Sequence, residues 1–243
     1  MIVPDHIGCG MSDKPDDSRY TYTLASRIDD LECLLDHLGL DRDLTLIMHD
    51  WGGMIGMAYA ARHPERIARL VVSNTAAYHK PARKPMPRAL AICRDSGLGA
   101  FLVRGLNVFC LGTAAIGCKR QPMTRELRGA YFAPYDSWSH RIAILRFVQD
   151  IPLRPGDRGF DLVSEVQDRL HLLRSVPMLI LWGMKDFVFD HHFLNEWVRY
   201  FPDAEVHRFP EAGHYLFEDE ADALSGLVPA FLAAHTAIKE HVG

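Results

Sequence analysis

The five residues His49-Asp50-Trp51-Gly52-Gly53 constrain this chain more than any other stretch. An apolar run, Leu44-Thr45-Leu46-Ile47-Met48, precedes them, and a helical pattern from Met54 to Arg62 follows. Strand, sharp turn and helix in that order form a nucleophile elbow, where a strained turn pushes one side chain out at the top of a sheet. Serine is the usual residue at that point. Here it is Asp50, and the chemistry changes with it. A serine must lose its proton before it attacks an acyl carbon. An aspartate is ordinarily a carboxylate at neutral pH and can displace a leaving group from an alkyl carbon, leaving an ester on the protein. Gly52 and Gly53 let the helix start hard against the strand. The Trp51 amide, at the helix N-terminus, is placed to donate to a developing anion. Met48 departs from the pattern, because a small residue is common two positions before the nucleophile. The plain alternative is an ordinary loop with Asp50 as an N-cap.

A triad on such a scaffold runs nucleophile, acid, histidine along the chain. Met178-Leu179-Ile180-Leu181-Trp182 reads as a buried strand, and Gly183-Met184-Lys185-Asp186 follows it. Asp186 therefore falls just past a strand's carboxyl end, where open α/β sheets place their sites. A helix from about Asp190 to Phe201, a strand from Glu205 to Phe209, and the loop Glu211-Ala212-Gly213-His214-Tyr215 come next. Asp50, Asp186 and His214 thus each follow a strand, in the expected order. Asp190 rivals Asp186 but sits at a helix N-cap. The loop Ser73-Asn74-Thr75 offers no carboxylate. His63, His79, His140, His171, His191, His192, His207, His235 and His241 show no catalytic placement. The His191-His192 pair lacks the spacing that completes a metal site, so neither a metal nor any other cofactor is expected.

At 243 residues and 48% hydrophobic, the chain can bury one sizeable core. Its net charge of −4, with both signs interspersed, gives no sign of a nucleic-acid partner. Five scattered cysteines and no signal peptide suit reduced thiols in a cytoplasmic protein. Leu24, Ile28, Leu31, Leu35 and Leu38 recur at helical spacing, with Thr23 as cap and Gly39 as stop. A strand from Arg69 to Val72 follows the elbow helix. Between about Tyr78 and Leu173 no strand–helix alternation is visible. Residues 1–77 and 174–243 are therefore read as two parts of one core, and 78–173 as an inserted helical cap. Within the cap, Leu98 to Cys118 is mostly apolar and long enough to span a bilayer. Arg104, Asn107 and four glycines interrupt it, so it is read as cap helices that pack on the core and in part line a pocket for alkyl chains.

The segments Val3 to Pro15, the Asp50 elbow, the Asp186 loop and Ala212-Gly213-His214-Tyr215 resemble the haloalkane dehalogenase-like branch of the α/β-hydrolase superfamily. Pro4 to Pro15, Asp50 to Tyr59, Ala133 to Trp138 and Phe147 to Leu153 most resemble the β-lactone decarboxylases of bacterial long-chain olefin biosynthesis. The resemblance implies an α/β-hydrolase fold, a mostly parallel sheet flanked by helices, with an inserted helical cap. It implies Asp50 as nucleophile, Asp186 and His214 as its partners, and Trp51 as the donor to the oxyanion or leaving group. It offers three outcomes: a long-chain β-lactone decarboxylated to a cis-alkene, a haloalkane hydrolysed, or an epoxide hydrolysed. A dehalogenase needs a second halide donor, from an early loop or from a cap tryptophan such as Trp138. An epoxide hydrolase needs two cap tyrosines, for which Tyr131 and Tyr135 are candidates. These three residues are the candidate substrate pocket. On the resemblance, the chain opens at the end of the family's fourth strand. The N-terminal strands and one oxyanion donor are then expected to be lacking, the Leu44–Met48 strand exposed at an edge, and activity low. Assembly with other olefin-pathway enzymes is implied as well. The non-enzyme alternative is an inactive scaffold subunit of such an assembly.

Overall fold

A computed structural model describes residues 1–236, so His241 and the end of the third segment lie outside the described residues. The core elements are α1 (Leu24–His37), β1 (Leu44–Asp50), α2 (Trp51–Arg62) and β2 (Ile67–Thr75). Six helices follow: α3 (Arg88–Asp95), α4 (Gly97–Arg104), α5 (Val108–Ile116), α6 (Arg125–Phe132), α7 (Ile142–Gln149) and α8 (Phe160–Arg169). The chain then returns to β3 (Met178–Gly183), α9 (His191–Tyr200), β4 (Glu205–Phe209), α10 (Leu216–Asp219) and α11 (Ala221–Ala234). The four strands form one parallel sheet in the order β1-β2-β3-β4.

Alternation along β2 and β3 divides the core. Side chains at successive strand positions point to opposite faces. Leu70, Val72, Ile180 and Trp182 join Met48, Ile55, Trp197 and the inner faces of α1, α2 and α9 on one side. Val71, Leu179 and Leu181 meet Leu216, Leu224 and Phe231 on the other. Every residue of β3 is buried, as a continuous apolar run in a doubly covered parallel sheet requires. Each fully buried side chain of this size contributes about 1.5–3 kcal/mol.

Local signals hold where they are strong. Thr23 caps α1, accepting from the Ser26 amide at 3.1 Å. Asp190 caps α9, accepting from the His192 amide at 3.0 Å. The second strand is longer than the sequence suggests, because its polar end, Ser73-Asn74-Thr75, is buried against β3 and the elbow. At the outer side of β1 no strand pairs among the described residues, and Ile47 is 44% exposed. The first six residues form no strand.

The cap is smaller than the 78–173 segment. Val163, Val166, Leu170 and Leu173 sit in the main core cluster beside α2, so α8 is a core helix and the cap ends before it. Within the cap, Cys93, Val103, Leu145 and Val148 form a small cluster joining α3, α4 and α7. That cluster is too small to cover the apolar stretch from Leu98 to Cys118. Contrary to expectation, many of its side chains face outward: Leu98, Phe101, Leu106, Val108, Leu111 and Ile116 are all exposed.

Candidate active site

The turn at Asp50 is strained. Its φ of 48° and ψ of −126° fall where a residue with a side chain rarely sits, at a cost of about 1–3 kcal/mol. The surroundings fix it there. Thr75 donates its hydroxyl to the Asp50 carbonyl, and the Thr75 carbonyl accepts the Trp197 indole N–H at 2.8 Å. A Cβ on Gly53 would fall on the Thr75 hydroxyl, whereas one on Gly52 would meet open space. Only the second glycine is therefore required by contact. Met48, the departure from the elbow pattern, is accommodated across the helix: a Cβ on Gly56 would run into its sulfur. Asp50 accepts no capping hydrogen bond from the helix it precedes. The plain reading of Asp50 as a side-chain N-cap is thus not what forms.

His214 and Asp186 meet. The imidazole Nδ1 donates to Asp186 Oδ2 at 2.9 Å, and both side chains are buried. The other carboxylate oxygen accepts the Val188 amide at 2.7 Å. With Nδ1 committed, Nε2 of His214 is the nitrogen free to hold or take a proton. Burial lowers the affinity of His214 for a proton. The charge and hydrogen bond of Asp186, with the charge of Asp50, outweigh that and leave its pKa raised. Asp50 therefore acts electrostatically on the ring that Asp186 orients.

Five neighbours escape sequence reasoning. Asn74 stands in the loop where a carboxylate was sought. Its amide donates to the Gly183 carbonyl at 3.0 Å, and its oxygen accepts the Gly183 amide at 2.8 Å. It clamps the end of β2 to the end of β3, just before Asp186. His49 donates from Nε2 to the His214 carbonyl at 2.8 Å. Burial, then the charge of His214, push the His49 pKa down to about 4, so this ring stays neutral. The site is walled by aromatics. Phe147 lies 5.4 Å from Trp51, and Phe187 and Phe189 lie 5.9 and 6.1 Å from His214, ring centre to ring centre. Position beside Asp50 and Asp186 was the available signal for His49, Phe187 and Phe189. Phe147 had only its place in a segment of family resemblance, and Asn74 carried none.

The candidate pocket residues take separate partners. Tyr131 donates its hydroxyl to Glu218 at 2.8 Å. The Tyr135 hydroxyl accepts the Gly10 amide at 3.2 Å, tying the early loop to the cap. The two hydroxyls have separate partners. Trp138 is 49% exposed, with the Arg104 guanidinium over its ring, so it is not a core residue. A cleft of about 530 Å³ lies elsewhere. It is lined by polar groups such as Asp17, Arg146, Asp150 and Arg158 and suits no alkyl chain. Ligand atoms of Asp190, His191 and His192 lie within 4.8 Å of one another. Asp190 is already engaged there by the Lys84 ammonium at 2.9 Å and by the His192 amide. All five cysteines are free.

A family model for the alpha/beta hydrolase fold matches residues 1–93 and 119–221. The chain belongs to that family. It is 57% identical over 231 residues to a cis-3-alkyl-4-alkyloxetan-2-one decarboxylase of Shewanella oneidensis, covering 95% of the chain and 73% of the relative. It is 47% identical to the decarboxylase of the same name from Xanthomonas campestris, covering 95% of the chain and 78% of the relative. A haloalkane dehalogenase of Mycolicibacterium paratuberculosis is 27% identical, over 93% of the chain and 71% of that protein. Among solved structures, the haloalkane dehalogenase DatA of Agrobacterium tumefaciens superposes with a TM-score of 0.83 at 23% identity. It covers 96% of this hydrolase and 79% of that chain, a likeness of fold.

Proposed function

We propose that this protein decarboxylates a long-chain cis-3,4-dialkyl β-lactone; a cis-3-alkyl-4-alkyloxetan-2-one is the substrate in the name of two of its relatives. One observation carries the chemistry: a carboxylate, not a hydroxyl, stands on a strained turn near a buried imidazole–carboxylate pair. In this reading an oxygen of Asp50 attacks the ring carbon that bears the ring oxygen. That carbon–oxygen bond breaks, and the ring opens to a carboxylate on the neighbouring carbon. The Trp51 amide, at the start of α2, donates to the departing anion. Attack from the back leaves the new ester and the carboxylate on opposite sides. The bond to the carboxylate then breaks, CO₂ leaves, its electron pair forms the alkene, and Asp50 is released unchanged. The alkyl groups stay on one side, so a cis-lactone gives a cis-alkene.

His214, oriented by Asp186, holds a positive charge near Asp50 or passes a proton at Nε2. Phe147, Phe187 and Phe189 supply an apolar surround, where each buried CH₂ contributes about 0.8 kcal/mol. The dehalogenase reading rests on the fold and on Trp51, but Trp138, the cap tryptophan, is turned to solvent. For the epoxide reading, Tyr131 and Tyr135 are engaged with Glu218 and Gly10. A free set of five thiols suits the cytoplasm, and assembly with enzymes that supply the lactone fits the reaction.

Incubation with a synthetic long-chain β-lactone, with alkene followed by gas chromatography, tests the proposal. Alkene is expected, and Asp50→Asn should lower its rate by at least about a thousandfold while the protein stays folded. Bromide release from a bromoalkane with no alkene from the lactone would reject it. Equal turnover by Asp50→Asn would remove Asp50 as the nucleophile.

A further inference from the structure

Helix α5 is apolar on both faces. Cys110, Ala114 and Gly117 recur at helical spacing and are buried, while Val108, Leu111, Gly112 and Ala115 lie on the other side and are exposed. The outward face of a surface helix is ordinarily polar. Helix α4 repeats the pattern: Gly99 and Val103 are buried, and Leu98 and Phe101 are exposed. Leu98 is 62% exposed, Phe101 52% and Leu111 50%. Between Gly97 and Cys118 the only charged residue is Arg104.

Charge gathers at the ends of this stretch. From Tyr78 to Arg128 there are ten Lys and Arg against two carboxylates, Asp95 and Glu126, in a chain whose net charge is −4. Some of these cations are engaged, as Lys84 is with Asp190 and Arg94 with Asp157. Arg83, Arg88, Lys119, Arg125 and Arg128 are exposed and join no ion pair among the described residues. A two-fold dimer through this face would set each basic rim against its copy, which disfavours self-association. An apolar face rimmed by unpaired cations matches an anionic surface in charge.

We propose that the outward face of α4 and α5 seats on an anionic phospholipid bilayer. Leu98, Phe101 and Leu111 enter the headgroup boundary and the flanking cations meet the lipid phosphates. No single helix among the described residues is long and apolar enough to cross a membrane, and α4 and α5 meet at 73°. By length and composition the two together could cross only as a bent span, and Arg104 at the bend favours the surface. The inner side of the same helices reaches the loop of His214, where the Tyr215 amide donates to the Gly117 carbonyl at 3.2 Å. A seated cap thus holds the site next to the medium in which long alkyl chains dissolve. None of this depends on which reaction Asp50 performs.

Co-sedimentation with vesicles of equimolar phosphatidylcholine and phosphatidylglycerol, and with phosphatidylcholine alone, tests it. Binding is expected to the anionic vesicles and to weaken as salt rises. The pair Phe101→Gln and Leu111→Gln should weaken it by at least about tenfold. Arg88→Gln and Lys119→Gln should each cost about fivefold. Circular dichroism checks that the variants stay folded, and Leu98→Gln gives a separate probe. Protein left in the supernatant with anionic vesicles at low salt overturns the proposal. So does binding that ignores these substitutions. A lipid-free dimer, seen by light scattering and abolished by the Phe101 and Leu111 changes, would assign the face to a second copy instead.

Discussion

Gly53 and Gly52 are adjacent, yet only one of them meets anything. A methyl at position 53 would displace the Thr75 hydroxyl that holds the Asp50 carbonyl. Gly53→Ala is therefore expected to destabilise by about 1–3 kcal/mol and to lower turnover, measured by denaturant unfolding and by product formation. Gly52→Ala should do neither, and equal effects would mean that the helix start, not the Thr75 contact, sets the requirement. His49 gives a pH signature. Its pKa is pushed down to about 4 from an ordinary 6.5, so between those values the unfolded chain binds the proton and the folded one refuses it. Stability from this group is full above the ordinary value and is lost as pH falls, by up to about 3 kcal/mol. The raised pKa of His214 acts the other way, its contribution being lost as pH rises. Thermal unfolding of His49→Asn should show a flatter loss between neutral and mildly acidic pH than the unsubstituted protein. Parallel profiles would refute the assignment.

At the scale of elements, β1 and α2 are fitted to each other through Met48 and Gly56. Met48→Ala leaves a void worth about 2–4 kcal/mol. Gly56→Ala pushes a methyl at the Met48 sulfur and costs about 1–3 kcal/mol. The double variant should cost less than their sum by at least about 1 kcal/mol, and additive values would disprove the fit. Sequence foresaw both elements but not this pairing, and that is the general pattern. The helix from Leu24, the elbow, β3, β4 and the Asp190 cap were legible because local spacing, caps and apolar runs determine them. Asp50, Asp186 and His214 were singled out because each follows a strand in a fixed order. Asn74 and Thr75 were not, because their roles exist only once β2, β3 and the elbow lie side by side. The cap was misjudged in two ways. Its last helix belongs to the core, and its apolar residues were taken as buried, since hydrophobicity alone does not say which face of a helix finds a neighbour.

For the whole molecule, Asp150 links parts that the chain separates widely. Standing just after α7, it accepts the Leu24 amide at the start of α1 at 2.6 Å and lies 3.5 Å from the Arg27 guanidinium. Arg27 is fully buried, stacks on Phe147 at 3.7 Å, and its three nitrogens make no hydrogen bond. Asp150→Ala strands that charge, with an expected cost of about 3–5 kcal/mol, measurable by urea unfolding. Adding Arg27→Met should restore much of it, and a double variant no better than the single would show that the charge was not the cause. A second carboxylate ties lid to catalytic loop. Asp219 accepts the amides of Lys119 and Arg120, between α5 and α6, and the amide of Gly213, one residue before His214. That corner is pinned by three backbone groups on one side chain. A shift of the connection between α5 and α6 is therefore passed through one carboxylate to the loop that carries His214, so the two are coupled parts.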